Sequence, residues 1–282
     1  MPAMTGRASA LKATTAGDHY FTVAGARLRY RDEGRGAALV CVHGWTLGLE
    51  MWDAQVAALR DCFRIVRFDR RGHGLSEGIS SPERDAADLR ALCEHLALRD
   101  VALLGMSQGA RVAVHALHAG QRVWALILDG PPGLSADAET DIPAERYRSL
   151  ALEQGMSAFR REWKRHPLTQ LRTAEPARRA CLEAMLARYS GNDLWAPAAP
   201  SPTVQPAPLA VPTLILSGQF DLPTRIQAAD ELASLLAAKR AVISGAGHLA
   251  NLDCPDAYSK CCCDFLMGYV PDCVPVSGVS HA

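Results

Sequence analysis

The sequence predicts an α/β fold, a mostly parallel central sheet with helices on both faces, interrupted by an inserted helical segment. Three observations predict it. Short apolar runs alternate with stretches of helical periodicity through most of the chain, the pattern of strands joined by crossover helices. One such run, Val101-Ala102-Leu103-Leu104, passes through Gly105-Met106-Ser107-Gln108-Gly109 directly into a stretch rich in Ala and Val, which reads as a sharp strand-to-helix turn. The alternation then breaks after Trp124-Ala125-Leu126-Ile127-Leu128-Asp129, where Gly130, Pro131 and Pro132 introduce charge-rich helical sequence before the sheet resumes at Thr213.

Taken in order, residues 1–19 form an amino-terminal extension and residues 20–133 with 211–268 form the core. Phe21 to Tyr30 alternates about Gly25 and reads as an opening hairpin. Leu39-Val40-Cys41-Val42 and Arg64-Ile65-Val66-Arg67-Phe68 are strands, and Asp85 to Leu96 is a helix whose leucines fall three and four apart. Residues 134–210 are the insertion, a helical cap over the site, and its exit from Ala196 to Pro212 carries six prolines, which predicts an extended tether. Val211 to Leu216 and Arg240 to Ser244 are the closing strands around a helix from Ile226 to Leu236, and residues 269–282 are a tail.

A chain of 282 residues that is 49% hydrophobic can bury a substantial core. Its 30 basic and 30 acidic residues balance, so nothing pulls it toward nucleic acid or an anionic membrane, and a small-molecule ligand is the expected partner. No apolar run approaches the ~20 residues that cross a bilayer, and Met1 to Asp18 lacks a secretory apolar core, which predicts a cytoplasmic protein. Nine cysteines, an odd number spread through strands and helices, read as reduced packing residues. Cys261-Cys262-Cys263 invites a metal reading together with Cys254 and Cys273, but consecutive helical residues point about 100° apart and no C-x-x-C pair is present.

Ser107 stands at the apex of the strand-to-helix turn, with small residues two before and two after it, and is the candidate nucleophile. A serine hydroxyl needs a base, and that base needs an orienting carboxylate. Both follow in the chain. Asp221 ends the segment Val211-Pro212-Thr213-Leu214-Ile215-Leu216-Ser217-Gly218-Gln219-Phe220-Asp221, and His248 follows the strand Arg240 to Ser244 and the turn Gly245-Ala246-Gly247. All three lie just beyond the carboxyl ends of predicted strands, where open parallel sheets carry their sites.

With these residues in view the chain resembles the α/β-hydrolase superfamily from about residue 20 to residue 267. His43-Gly44-Trp45 after a strand is similar to the family's oxyanion loop, Asp69-Arg70-Arg71-Gly72-His73-Gly74-Leu75-Ser76 to its D-x-R-G-x-G-x-S turn, and Gly247-His248-Leu249 before Pro255 to its histidine loop. The resemblance implies that the backbone N–H groups of Gln108 and Trp45 hold a tetrahedral oxyanion. It also offers Asp129 as an alternative acid, because some members draw theirs from that earlier strand; otherwise Asp129 would bond backbone amides at the cap entrance. His43 and His73 would shape turns. The basic run Arg160 to His166 reads as a solvated helix face, with attraction of an anionic substrate as its rival. The implied activity is hydrolysis of a carboxylic ester or lactone through an acyl-enzyme, in a carboxylesterase and enol-lactonase-like branch, with no metal or organic cofactor required. Amide or C–C bond hydrolysis and perhydrolysis on the same triad are alternatives, and a ligand receptor or signalling partner is the alternative of another class.

Overall fold

The computed structural model describes residues 17–133, 141–195 and 209–271. Eight strands form one sheet: β1 (His19–Val23), β2 (Ala26–Gly34), β3 (Ala37–Val42), β4 (Phe63–Phe68), β5 (Val101–Met106), β6 (Val123–Asp129), β7 (Thr213–Gly218) and β8 (Lys239–Ile243). Their order is β1-β2-β4-β3-β5-β6-β7-β8. β1 and β2 form an antiparallel hairpin, β2 runs antiparallel to β4, and every pairing from β4 onward is parallel.

The parallel strands read as continuous apolar runs because both faces are covered. All residues of β3, β5 and β7 are buried. Within each strand the side chains part alternately into two cores. Leu39, Cys41, Ile65, Leu104, Ile127 and Leu216 pack on one face, against α1 (Asp53–Leu59) and, later in the chain, the helix Pro255–Met267. Val40, Val42, Val66, Leu103, Leu128 and Ile215 pack on the other, against α2 (Pro82–His95), α3 (Gln108–His118) and the helix Pro223–Leu235. Between β6 and β7 lie α4 (Ala144–Trp163), α5 (Pro176–Arg188) and the short α6 (Asn192–Trp195); α7 (Pro223–Leu235), α8 (Ala250–Asp253) and α9 (Pro255–Met267) complete the described chain.

Two helices begin three residues earlier than their leucine spacing indicates. In α2 the Ser81 side chain accepts the Arg84 N–H at 3.3 Å and Pro82 occupies the first turn; in α7 Pro223 does the same. Proline belongs in a first turn, whose N–H groups lack intrahelical acceptors, so periodicity alone undercounts such starts. The proline-rich stretch from 196 to 208, most of the tail and Cys273 lie outside the described residues. Among the described residues no helix is long and apolar enough to cross a membrane.

Candidate active site

β5 ends at Met106 and α3 begins at Gln108, which leaves Ser107 alone to make the turn, at φ 53° and ψ −115°. A non-glycine residue reaches this conformation only when its surroundings enforce it. Here the Ser107 N–H donates to the Asp129 carbonyl at 2.7 Å and its carbonyl accepts the Ala110 N–H at 2.9 Å. The flanking glycines are steric necessities: a Cβ on Gly105 would stand 2.3 Å from the Gly109 carbonyl oxygen, and one on Gly109 would stand 2.2 Å from that of Val42. As first residue of α3, Gln108 presents a backbone N–H with no acceptor inside the helix. Its side-chain oxygen accepts a hydrogen bond from Arg70 at 2.7 Å.

The loop after β3 brings Trp45 to the same place. The Gly44 carbonyl, in the peptide unit that carries the Trp45 N–H, accepts from His43 Nδ1 at 2.7 Å and from Arg70 Nη2 at 3.3 Å. His43 Nε2 accepts the Arg70 backbone N–H at 2.9 Å, so both ring nitrogens are committed to a neutral imidazole, and burial holds its pKa well below the usual histidine value. His73 is likewise buried, donating from Nδ1 to the Arg71 carbonyl at 2.8 Å. Above the loop, the Trp45 indole N–H is shared between Asp193 at 2.7 Å and Tyr189 at 2.9 Å, and its ring packs edge-on against Trp163, Phe159 and Tyr147. The Trp163 indole in turn donates to Thr46 Oγ1 at 2.8 Å, which ties α4 to the loop.

The turns after β7 and β8 run side by side, joined by hydrogen bonds from Gln219 N–H to the Ile243 carbonyl at 3.0 Å and from Phe220 N–H to the Ala246 carbonyl at 2.8 Å. This register sets Asp221 against His248. The Asp221 carboxylate lies 2.9 and 3.0 Å from His248 Nδ1 and also accepts the Leu222 N–H at 2.7 Å. An ionised carboxylate only accepts, so Nδ1 carries the proton and Nε2 is left as an acceptor. His248 and Ser107 line one cavity of about 20 Å³ with Gly44, Trp45 and Met106, room for about one water.

Asp129 does something different. It is fully buried, Oδ2 accepts from the Tyr258 hydroxyl at 3.1 Å rather than from backbone amides at the insertion's start, and among the described residues Oδ1 has no partner. Burial pushes its pKa up to about 8, and the neighbouring Asp221 charge pushes the same way. It is therefore a protonated acid near neutrality, and it is Asp221 that touches the imidazole.

A second cavity, of about 300 Å³, meets the first at Ser107, Trp45 and Ile142; Arg111, Asp193 and Arg225 are among the residues that complete its wall. Sequence patterns gave no hint of Tyr258, Asp193 or Arg111. Tyr258 sits at helical spacing from Cys262 and Phe265 and reads as core, while Asp193 and Arg111 are ordinary helix residues until the fold turns them to the site. The basic run from Arg160 to His166 behaves mostly as a surface face: Lys164 pairs with Glu183 and Arg165 with Glu162, both in solvent.

A family model described as alpha/beta hydrolase fold matches residues 37–255. The chain is 30% identical over 263 residues to a putative 2-succinyl-6-hydroxy-2,4-cyclohexadiene-1-carboxylate synthase of Bacillus subtilis, covering 86% of this chain and 95% of that protein. Among solved structures it is similar to a thermophilic esterase from Thermogutta terrifontis in a malate-bound state, with a TM-score of 0.76 and 27% identity over 91% of this chain and all of that one. It is also similar to the enol-lactonase from Burkholderia xenovorans, with a TM-score of 0.72 and 28% identity over 88% of this chain and all of that one.

Proposed function

The chain belongs to the alpha/beta hydrolase fold family, in its esterase- and lactonase-like branch, and on that premise we propose that it is a serine hydrolase that cleaves a carboxylic ester or lactone of a small molecule. The observation that carries the reading is the contact of His248 Nδ1 with Asp221 beside the cavity into which Ser107 is lifted. Ser107 attacks the acyl carbon while His248 Nε2 takes its proton, and His248 then returns the proton to the leaving alkoxide. Asp221 keeps the imidazole in the Nδ1–H tautomer and stabilises imidazolium. The N–H groups of Gln108 and Trp45 receive the oxyanion. Water, activated by the same imidazole, releases the acid and restores Ser107. The segment between β6 and β7 acts as the cap: α4 holds the loop after β3 through Trp163 and Thr46, α6 holds it through Asp193 and Trp45, and both wall the larger cavity.

The test is a fluorophosphonate probe together with a panel of p-nitrophenyl esters. The probe should label Ser107 in the native chain and nothing in Ser107→Ala, and ester turnover should fall by several orders of magnitude in the variant. Residual activity within about tenfold of wild type would reject Ser107 as nucleophile. The near full-length likeness to the Bacillus subtilis synthase favours a second reading, in which the same site serves a synthase reaction and hydrolyses no ester. A pre-steady-state burst of p-nitrophenol belongs to the first reading alone.

A further inference from the structure

Among the described residues, the buried arginines follow one rule. Arg29 lies against Asp18, Glu50 and Asp69, Arg67 against Glu33 and Asp53, Arg70 against Asp85, Arg71 against Asp88, and Arg225 against Asp141. Removing a guanidinium from water is expensive, and a carboxylate partner offsets that expense. Arg111 is half-buried rather than buried, and among the described residues no carboxylate pairs with it. It sits one turn into α3, four residues after Ser107, in the wall of the 300 Å³ cavity, and among the described residues its hydrogen-bond partner is a neutral one, the Gly133 carbonyl at 2.7 Å. Burial and the nearby Arg225 charge both hold its pKa below the usual arginine value.

The carboxylates in that wall are engaged elsewhere. Asp141 belongs to Arg225, which also reaches the Gly130 carbonyl at 3.4 Å. Asp193 takes the Trp45 indole N–H and the Tyr189 hydroxyl. The amino end of α3, with its outward N–H groups, adds positive potential on the Ser107 side. A planar guanidinium with spare donors, facing a cavity that Ser107 also faces, is suited to hold two oxygens of one anion.

We infer that Arg111 forms an anion subsite in the Ser107 cavity, and that the ester or lactone cleaved there carries a free carboxylate within a few bonds of the reacting carbonyl. The inference rests on the proposed hydrolase reading and narrows it to acidic esters and lactones. The carboxylate gives Arg111 a counter-charge that no described residue supplies and anchors the substrate beside Ser107.

The experiment compares matched substrates that differ by one charge. Succinate, glutarate and adipate p-nitrophenyl hemiesters are set against p-nitrophenyl esters of butyrate to hexanoate, and butyrate esters of 4-hydroxybenzoate against phenyl butyrate, so that the carboxylate is tried on the acyl side and on the leaving group. In at least one arm, wild type should favour the charged member by tenfold or more in kcat/KM. Arg111→Gln should lower that charged-to-neutral ratio by at least tenfold, chiefly through KM, and Arg111→Lys should recover part of it. A ratio near one in both arms, or a ratio that survives in Arg111→Gln, overturns the subsite. Calorimetric titration with glutarate separates this failure from failure of the hydrolase reading: if no ester turns over and Ser107 takes no probe, glutarate binding to wild type that weakens at least tenfold in Arg111→Gln still supports the subsite, and equal or absent binding rejects it.

Discussion

Replacing Asp129 with asparagine should change how stability depends on pH, and the size of the change follows from where its carboxyl lies. In the folded protein the group is fully buried, bonded to the Tyr258 hydroxyl, and its pKa stands at about 8 against a reference of 3.8. Below the reference value it is protonated in both folded and unfolded chains. Above it the unfolded chain releases the proton while the folded chain keeps it, so the folded state binds more protons and its stability falls as pH rises, until the folded group itself ionises near pH 8. Each pH unit within that window is worth about 1.4 kcal/mol, so Asp129 alone should remove about 3 kcal/mol of stability between about pH 5 and pH 7. An amide in its place cannot ionise, so Asp129→Asn should be more stable relative to wild type at about pH 7 than at about pH 5 by that amount. Urea unfolding followed by tryptophan fluorescence at intervals from about pH 5 to pH 8 measures the difference, and subtracting the two proteins cancels the titration of every distant group. A wild-type-minus-variant difference that stays flat with pH, or that moves in the opposite direction, would show that Asp129 is already ionised in the folded state.

Two further substitutions probe the site directly. Asp221→Asn should lower kcat toward p-nitrophenyl esters by up to ~10⁴, because an amide cannot hold the Nδ1–H tautomer of His248, whereas Asp129→Asn should keep most of the activity; the reverse ranking would move the acid to Asp129. Gly109→Ala forces a methyl carbon to within 2.2 Å of the Val42 carbonyl oxygen, so it should destabilise the protein by about 1–3 kcal/mol and slow fluorophosphonate labelling of Ser107 at least tenfold as α3 shifts. An unchanged thermal midpoint together with an unchanged labelling rate would show that the elbow does not need glycine there.

The core was legible because each central strand is buried on both faces and therefore reads as an uninterrupted apolar run, and because the residues that end those strands carry their own punctuation, as at Gly105 to Gly109 and Gly245 to Gly247. The candidate site was legible where chemistry forces a local pattern. Ser107 needs its flanking glycines, and the positions of Asp221 and His248 follow from adjacent parallel strands of a sheet. What stayed hidden has no local pattern. The pairing of Trp45 with Asp193 and Tyr189 joins a core loop to the far end of the insertion, and Tyr258 meets Asp129 only because α9 packs against the sheet. Nothing adjacent to Arg111 in the chain marks it as an arginine that no described carboxylate pairs, since that property depends on which arginines the described acids pair with.

The two strands that carry Asp221 and His248 at their ends are also the last of the sheet in chain order. β7 attaches along β6, pairing Thr213 with Leu126 across the entire insertion, and β8 attaches only to β7 at the rim. During synthesis Ser107 and the backbone N–H groups of Trp45 and Gln108 emerge well before Asp221 and His248, which follow the insertion in the chain. Pairings of such long sequence separation form slowly. Recovery of enzymatic turnover on refolding should therefore trail the return of secondary structure, which makes catalysis itself a clock for closure of the sheet's far edge.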